Sequence, residues 1–419
     1  MRRIGYACKT IGVLNADMKS CTLKNASKEK ITELTKYNLD KLSNIIDYNI
    51  NNNIVLFRIS SDLVPFGSSE INTVKWWEIF ADELMLIGNK IKSSKMRVSV
   101  HPGQYTVLNS TNENVVKRAV SDLIYHTRIL DGMGLNSQHK MVLHIGGAYD
   151  NKNLAIERFI ENYKKLDDRI KNRLVIENDD KIYNISEVLH IGIKLNIPVI
   201  FDNLHNEIKP SEEKKSEKYW IEQCKNTWKK NDGNQKIHYS QQAKNKKIGS
   251  HSDYISINEF MAFYEMLERD DIDIMLEVKD KNLSCVKCIN CTDSKININL
   301  IEKEWSKYKY SILEKSQSTY LNIRNLLKNK EEFSAVAFYN ILENGLQAEG
   351  DIGSITNGAL HVWGYFKDKA TEKEKENFFK YLENFKQQKS NIHAVKRYLN
   401  KLTIKYNEDY LLNSYYYVL

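Results

Sequence analysis

Short apolar runs rich in β-branched residues recur eight times in the first two-thirds of the chain. They are RRIGYA around Tyr6, IVLFRIS to Ser60, MRVSVH to His101 and MVLHIG to Gly146. RLVIEN to Asn178, PVIFDN to Asn203, KIHYS to Ser240 and DIMLEVK to Lys279 follow. Such runs suit strands buried on both faces. The gaps carry helical periods. In KEKITELTKYNLDKLSNIIDYNI the apolar positions are Ile31, Leu34, Leu39, Leu42, Ile45 and Ile46, one stripe of a helix. WWEIFADELMLIGNKI, NVVKRAVSDLIYHTRILDGMG, NLAIERFIENYKKL, ISEVLHIGIKLN, SEKYWIEQCKNTWKK and ISINEFMAFYEMLER fill later gaps in the same way. Strand and helix in alternation predict βα units and a parallel sheet. Eight units predict a (β/α)8 TIM barrel over residues 1–282, with its working end at the C-terminal ends of the strands.

Beyond Lys279 the pattern changes. Residues 283–300 show little periodicity and read as a linker. Residues 301–419 hold only helical patterns, so a smaller all-α domain is expected there. A length of 419 residues accommodates both parts.

Composition narrows the setting. A net charge of +8 suits a polyanionic partner but says nothing about fold. Lys9 interrupts the N-terminal apolar stretch, so no signal peptide is expected. No run reaches the roughly 20 apolar residues of a membrane span. Six cysteines without a secretory signal point to a reducing cytoplasm. Three of them, Cys285, Cys288 and Cys291, form CxxCxxC without a fourth ligand nearby. A structural role is preferred there over a zinc knuckle.

The strand ends carry the candidate chemistry. His101, His144, Glu177, Asp202, His238 and Glu277 end successive strands, and His205 and His251 follow the sixth and seventh. Any one of these histidines alone would read as a core or loop residue. Together they read as a cluster of imidazole and carboxylate ligands for manganese or zinc. Eight donors exceed the four or so that one tetrahedral ion uses, so two or three ions are expected. Such sites clamp the attacking and leaving oxygens of a phosphoryl displacement. Glu177 is placed to bridge ions, while Asp179 and Asp180 read as solvent-facing or capping. Lys236 lies two residues before His238, on the same strand face. In HPGQY, Pro102–Gly103 would turn the chain and project Gln104 and Tyr105 from the rim. An amide beside an aromatic ring there could enter a DNA duplex, or simply pack the loop.

GYAC, RISSDLVPFGS, HPGQY, HIGGAY, IENDDK, FDNLH, KIHYS, SHSDY and LEVK, in that order, resemble the UV-damage endonucleases over residues 1–282. The resemblance implies a barrel related to endonuclease IV and a DNA repair enzyme. Such an enzyme nicks double-stranded DNA immediately 5′ of cyclobutane dimers and 6-4 photoproducts. Up to three divalent ions are implied, manganese first, with zinc or magnesium as alternatives. The family's ligands fall on His101, His144, Glu177, Asp202, His205, His238, His251 and Glu277. The catalytic roles are assigned to Glu177, Lys236, His238 and Glu277. The DNA-probing pair falls on Gln104 and Tyr105, and Tyr6 matches a tyrosine near the lesion pocket. Lys236 matches a lysine found carboxylated in a relative. Two positions depart from the pattern: Ser69 replaces a histidine ligand and Thr10 an asparagine. HVWGYFKDKATEKEKENFFKYLENF resembles a small helical domain of unknown function. Rival readings are an apurinic-site endonuclease, a metal-dependent sugar isomerase and a non-enzymatic damage-binding protein. HPGQY favours the endonuclease, because an isomerase has no use for an exposed intercalating pair.

Overall fold

The computed structural model describes residues 2–330 and 333–419. Eight parallel strands are present: β1 Ile4–Ala7, β2 Leu56–Ile59, β3 Arg97–Val100, β4 Met141–His144, β5 Leu174–Glu177, β6 Val199–Ile200, β7 Gln235–Tyr239 and β8 Ile272–Leu276. Their order is β6-β5-β4-β3-β2-β1-β8-β7. The ring closes between β6 and β7 at a parallel bridge of Asp202 with His238. There the His238 N–H donates to the Phe201 carbonyl at 3.0 Å. The barrel seam is therefore made by two of the candidate ligands.

The helices follow the apolar stripes. Lys28–Asn51 buries Ile31, Leu34, Leu39, Leu42, Ile45 and Ile46, and Ser27 caps it by accepting from the Lys30 N–H at 3.2 Å. Each such side chain contributes roughly 1.5–3 kcal/mol by leaving water, so a charge at Leu42 would undo the face. Ile185–Leu195 starts in a capping box of Asn184 and Glu187 and stops at Asn196 in the left-handed region. The second gap differs from expectation. WWEIFADELMLIGNKI is two helices, Trp76–Ile79 and Ala81–Ser93, broken at Phe80 (φ −110°, ψ 29°).

Strand parity sorts the barrel interior into layers. Gly5 and Ala7, Arg58, Arg97 and Ser99, Val142, Val175, Ile200, Lys236 and His238, and Asp273 and Met275 share the inward parity. At the N-terminal end of the ring a polar floor forms. Arg97 donates to Asp273 at 2.7 Å and to the carbonyls of Gln138, Asn234 and Asp232 at 2.9, 2.6 and 2.6 Å. Arg3 reaches the same Asp273 oxygen at 3.2 Å, and Lys140 pairs with Asp232 at 2.5 Å. His139 accepts from the Val98 N–H at 3.1 Å, and burial with Arg97 and Arg173 pushes its pKa down to about 3. A buried arginine satisfied at every group is tolerable where an unpaired one is not.

The segment expected as an aperiodic linker is mostly ordered helix. Asn282–Thr292 follows β8 directly and buries Leu283, Cys285, Val286 and Cys288. Asn282 donates to the Tyr48 hydroxyl at 3.0 Å, and Cys285 Sγ lies 3.7 Å from the Ile4 carbonyl. Burial pushes the Cys285 thiol well up and the Cys291 thiol to about 12, the opposite of what a thiolate metal site needs. These cysteines act as small apolar packing groups.

The chain divides into two compact units. The first holds the chain to Thr10, Asn15–Ile255 and Phe263–Val286; the second holds Ile11–Leu14, Ser256–Ala262 and Lys287–Leu419. The second is helical, including Ile298–Leu313, Ala335–Gln347, Ile352–Trp363, Glu372–Lys386 and Ile392–Lys405. Its core joins Tyr310, Leu313, Val362, Phe378, Leu399 and Tyr416. Trp363 stacks on Phe378 at 4.4 Å. A buried Lys396–Glu314 pair at 2.6 Å sits beside that core. Among the described residues no helix is long and apolar enough to cross a membrane.

Candidate metal centre

The inward positions at the C-terminal strand ends converge. His144 and Glu177 are register partners on β4 and β5. The Glu177 carboxylate is the hub: Oε1 lies 3.0 Å from His101 Nε2 and 2.7 Å from His144 Nε2, and Oε2 lies 2.6 Å from His238 Nδ1. Two donor sets could each hold an ion, His101–His144–Glu177 and Glu177–Asp202–His238. Glu177 belongs to both. Glu277 Oε1 lies 3.3 Å from His238 Nδ1, and His251 Nε2 lies 4.0 Å from Glu277 Oε2. His205 stacks edge-on to His144 at 6.0 Å.

Local structure presents these groups. The Asp202 side chain caps helix Asn203–Ile208 by accepting from the His205 N–H at 2.9 Å. The D-x-x-H spacing is thus an N-cap spacing, which fixes both residues on one turn. His205 Nδ1 sits 2.9 Å from the Asn178 carbonyl, and His101 Nδ1 sits 2.9 Å from the Pro102 carbonyl. Donation there would leave Nε2 of each ring as the lone pair, the outer-shell arrangement usual for ligating histidines. Asn178 in turn exchanges two hydrogen bonds with the Asp202 backbone, at 3.0 and 2.9 Å.

The donors fit divalent ions. Glu177 Oε2, Asp202 Oδ2 and both His238 ring nitrogens are buried without a hydrogen-bond partner among the described residues. The 2.6 Å approach of Glu177 to His238 is thus a contact without hydrogen-bond alignment. Buried lone pairs crowded together and unspent are costly unless a cation takes them. Nitrogen and carboxylate oxygen without thiolate suit manganese, zinc or magnesium.

Electrostatics agree. Burial pushes the imidazole pKa of His101 and His238 down, against the pull of Glu177. Burial would raise the Glu177 pKa, but His238 and His144 hold it well below the carboxylate range. Burial lifts Asp202 to about 6. Against its own burial, His205 is pushed up to about 9 by Asp202 and Glu177. Carboxylates without a metal draw protons onto nearby imidazoles. Burial likewise opposes ionisation of Glu277, yet Arg58 beside it keeps it well below the usual range.

Arg58 is the residue that sequence reading missed. It is buried on β2 and ion-paired with Glu277. The available signal was a lone charge inside an apolar strand, IVLFRIS. Lys236 is buried one layer below His238, and burial with Arg97 and Arg58 pushes its ammonium pKa well down. Asp179 caps the following turn, accepting from Lys181, Ile182 and Tyr183 N–H groups at 2.8, 2.5 and 3.0 Å.

Gln104 and Tyr105 are exposed on the β3 loop, Tyr105 at 71 %. Thr106 anchors that loop on Asp122 at 2.6 Å. Tyr6 is not brought to the mouth. It is fully buried, pairs with Phe57 at 5.1 Å, and its hydroxyl meets Thr10 at 2.7 Å and Asn49 at 2.8 Å. Its parity turns it towards the first helix, and Thr10 is its partner there. Ser69 is half-buried, and its hydroxyl accepts from the Ile71 N–H at 3.4 Å.

Several known proteins resemble this chain. The UV-endonuclease UvdE family matches residues 2–309, and a protein family of unknown function, DUF1722, matches residues 309–418. The UV DNA damage endonuclease of Clostridium perfringens is 41 % identical over 398 residues, 94 % of this chain and 95 % of the relative. That of Bacillus cereus strain G9842 is 34 % identical over 269 residues, 64 % of this chain and 84 % of the relative. The crystal structure of SacUVDE superposes with a TM-score of 0.66 at 38 % identity, covering 69 % of this chain and 97 % of that one. With the family match running through the whole first unit and a relative 41 % identical over nearly the full length of both chains, the chain belongs to the UV-endonuclease UvdE family.

Proposed function

We propose that the protein is a metal-dependent DNA repair endonuclease, acting in the cytoplasm on double-stranded DNA. It hydrolyses the phosphodiester immediately 5′ of UV photoproducts, cyclobutane dimers and 6-4 products. The observation that carries the reading is the Glu177 carboxylate shared by two donor sets, in a chain of this family. Two or three divalent ions, manganese first, would be held by His101, His144, Glu177, Asp202, His205, His238, His251 and Glu277. Bound there, they supply charge neutralisation at the phosphoryl oxygens and acidify water.

The chain's own residues prepare that chemistry. Glu177, ionised and buried, sets the spacing between the two donor sets. Arg58 keeps Glu277 ionised and orients it towards His238 and His251. The Pro102 and Asn178 carbonyls hold the rings of His101 and His205. His238 and Lys236 stack as successive inward residues of β7, so Lys236 supports the centre from below. Gln104 and Tyr105 stand at the rim, where they can displace a damaged base pair.

A nicking assay tests the reading. Protein stripped with a chelator and reloaded with Mn2+ is given UV-irradiated, abasic and intact duplexes. Incision 5′ of dimers, lost in the chelator, is expected. Cutting confined to the abasic duplex would transfer the assignment to an apurinic-site endonuclease. Full activity in the chelator would remove the metal role.

A further inference from the structure

The two most exposed large apolar side chains among the described residues are Ile248, at 74 %, and Tyr105, at 71 %. Tyr105 lies on the loop after β3 and Ile248 on the loop after β7. In the ring order these strands are four steps apart in either direction, so the loops face each other across the mouth. An isolated exposed apolar residue is ordinary. Two that lead the described residues and flank one candidate metal centre are not.

The β7 loop is also built to hold its tip. Gln242 and His251 form an antiparallel bridge, and Ser252 N–H donates to the Gln241 carbonyl at 2.8 Å. Ala243 N–H donates to the Ser250 carbonyl at 2.7 Å, and Ser250 N–H returns to Lys247 at 3.0 Å. The Gln242 side chain ties both arms, accepting from the Gly249 N–H at 2.8 Å and donating to the Lys247 carbonyl at 3.1 Å. Asn245 at φ 57° and Gly249 at φ 86° make the reversals. The hairpin base is His251 itself, so the tip is rigidly referenced to the centre.

Charge surrounds the tip. Lys244, Lys246 and Lys247 are all exposed. Lys246 is held by Asp253 at 2.9 Å. Lys244 and Lys247 have no ion-pair partner among the described residues, and no carboxylate lies within 244–250. An aliphatic tip flanked by unpaired cations fits a stacked polyanion better than a protein surface. Aliphatic wedges of this kind enter base steps and unstack them.

We infer that the hairpin of residues 241–252 is a second DNA-reading element. Ile248 wedges into the duplex opposite Gln104–Tyr105, and Lys244 and Lys247 grip the flanking phosphates. The damaged step is thereby opened from two sides over the centre. This rests on the endonuclease reading above.

The test uses the full, Mn2+-loaded chain and a duplex with 2-aminopurine opposite a cyclobutane dimer. Ile248→Ser is compared with the Gln104→Ala/Tyr105→Ala double variant and with the parent. Ile248→Ser is expected to lower the preference for damaged over intact duplex roughly tenfold and to blunt the 2-aminopurine fluorescence rise. Metal content, thermal midpoint and salt dependence should stay at parent values. Lys244→Ala/Lys247→Ala should weaken both duplexes alike and flatten the slope of log K against log salt by about 2. Parental unstacking and nicking by Ile248→Ser would overturn the wedge, and an unchanged salt slope in the lysine variant would overturn the grip. A parent without preference for damaged duplex would instead remove the endonuclease reading, and this inference with it.

Discussion

Glu177 touches three imidazoles from three strands, so a single substitution there separates metal chemistry from folding. Glu177→Gln keeps the shape and deletes the charge both donor sets share. Nicking should fall by about 100-fold or more, with bound metal per chain reduced. The circular dichroism spectrum should be retained, because the amide keeps the size and shape of the carboxylate in a well-packed site. Parental metal content and activity in this variant would count against the bridging role. The protonation pattern adds a second expectation. In the metal-free protein His205 has a pKa of about 9, so below that pH it carries a proton that an incoming cation must displace. Mn2+ binding should release protons at pH 7, and affinity should climb with pH until about 9. Calorimetry in buffers of different ionisation enthalpy reads this directly; identical heats in all buffers would contradict it. The candidate ligands stand out in the sequence because strand parity places every second residue inward and their types are rare in apolar runs. The place of Tyr6 was not legible from the resemblance: Gly5 and Ala7 face in, so Tyr6 faces the helical layer. Arg58 was hidden because its function depends on Glu277, which is distant in sequence.

The strands divide their labour along their length. C-terminal ends hold the centre, and N-terminal ends hold the Arg97–Asp273 floor. Charge balance at the floor matters for stability, since the candidate metal centre sits at the other end of the barrel. Asp273→Asn leaves Arg97 and Arg3 facing a neutral amide in a buried site. It should cost about 3–5 kcal/mol in urea unfolding, while nicking per folded molecule at 25 °C stays near the parent. A large loss of turnover without loss of stability would mean that the floor reaches the centre, by way of Lys236. Element boundaries were less legible than element types. The sequence pattern gave the first helix in full, yet one expected helix is interrupted at Phe80. The helix Asn282–Thr292 escaped because its buried positions are largely cysteine, serine and asparagine, which carry little hydrophobic period.

For the whole chain, that helix decides where the barrel can be cut. Barrel motifs end at Lys279, and a chain ending at Lys281 would keep every candidate ligand. It would lose Leu283, Cys285 and Val286, which are buried, together with the contacts of Asn282 to Tyr48 and of Ser284 to Ile255. Burying those side chains contributes several kcal/mol at roughly 25 cal/mol per Å², a large share of an ordinary domain's net stability. The chain cut at Lys281 is therefore expected to aggregate, despite an intact ligand set. A chain ending at Ile296 keeps Asn282–Thr292 whole and drops the DUF1722 region. It should be recovered folded, bind Mn2+ and nick irradiated duplex, with lower affinity at most. Gel filtration, metal analysis and the nicking assay on both chains separate the possibilities. Equal stability of the two would refute the role of the helix as the barrel's eighth. A longer chain that is folded and metal-loaded but inert on irradiated DNA would mean that the helical C-terminal region takes part in substrate capture or in the cut itself.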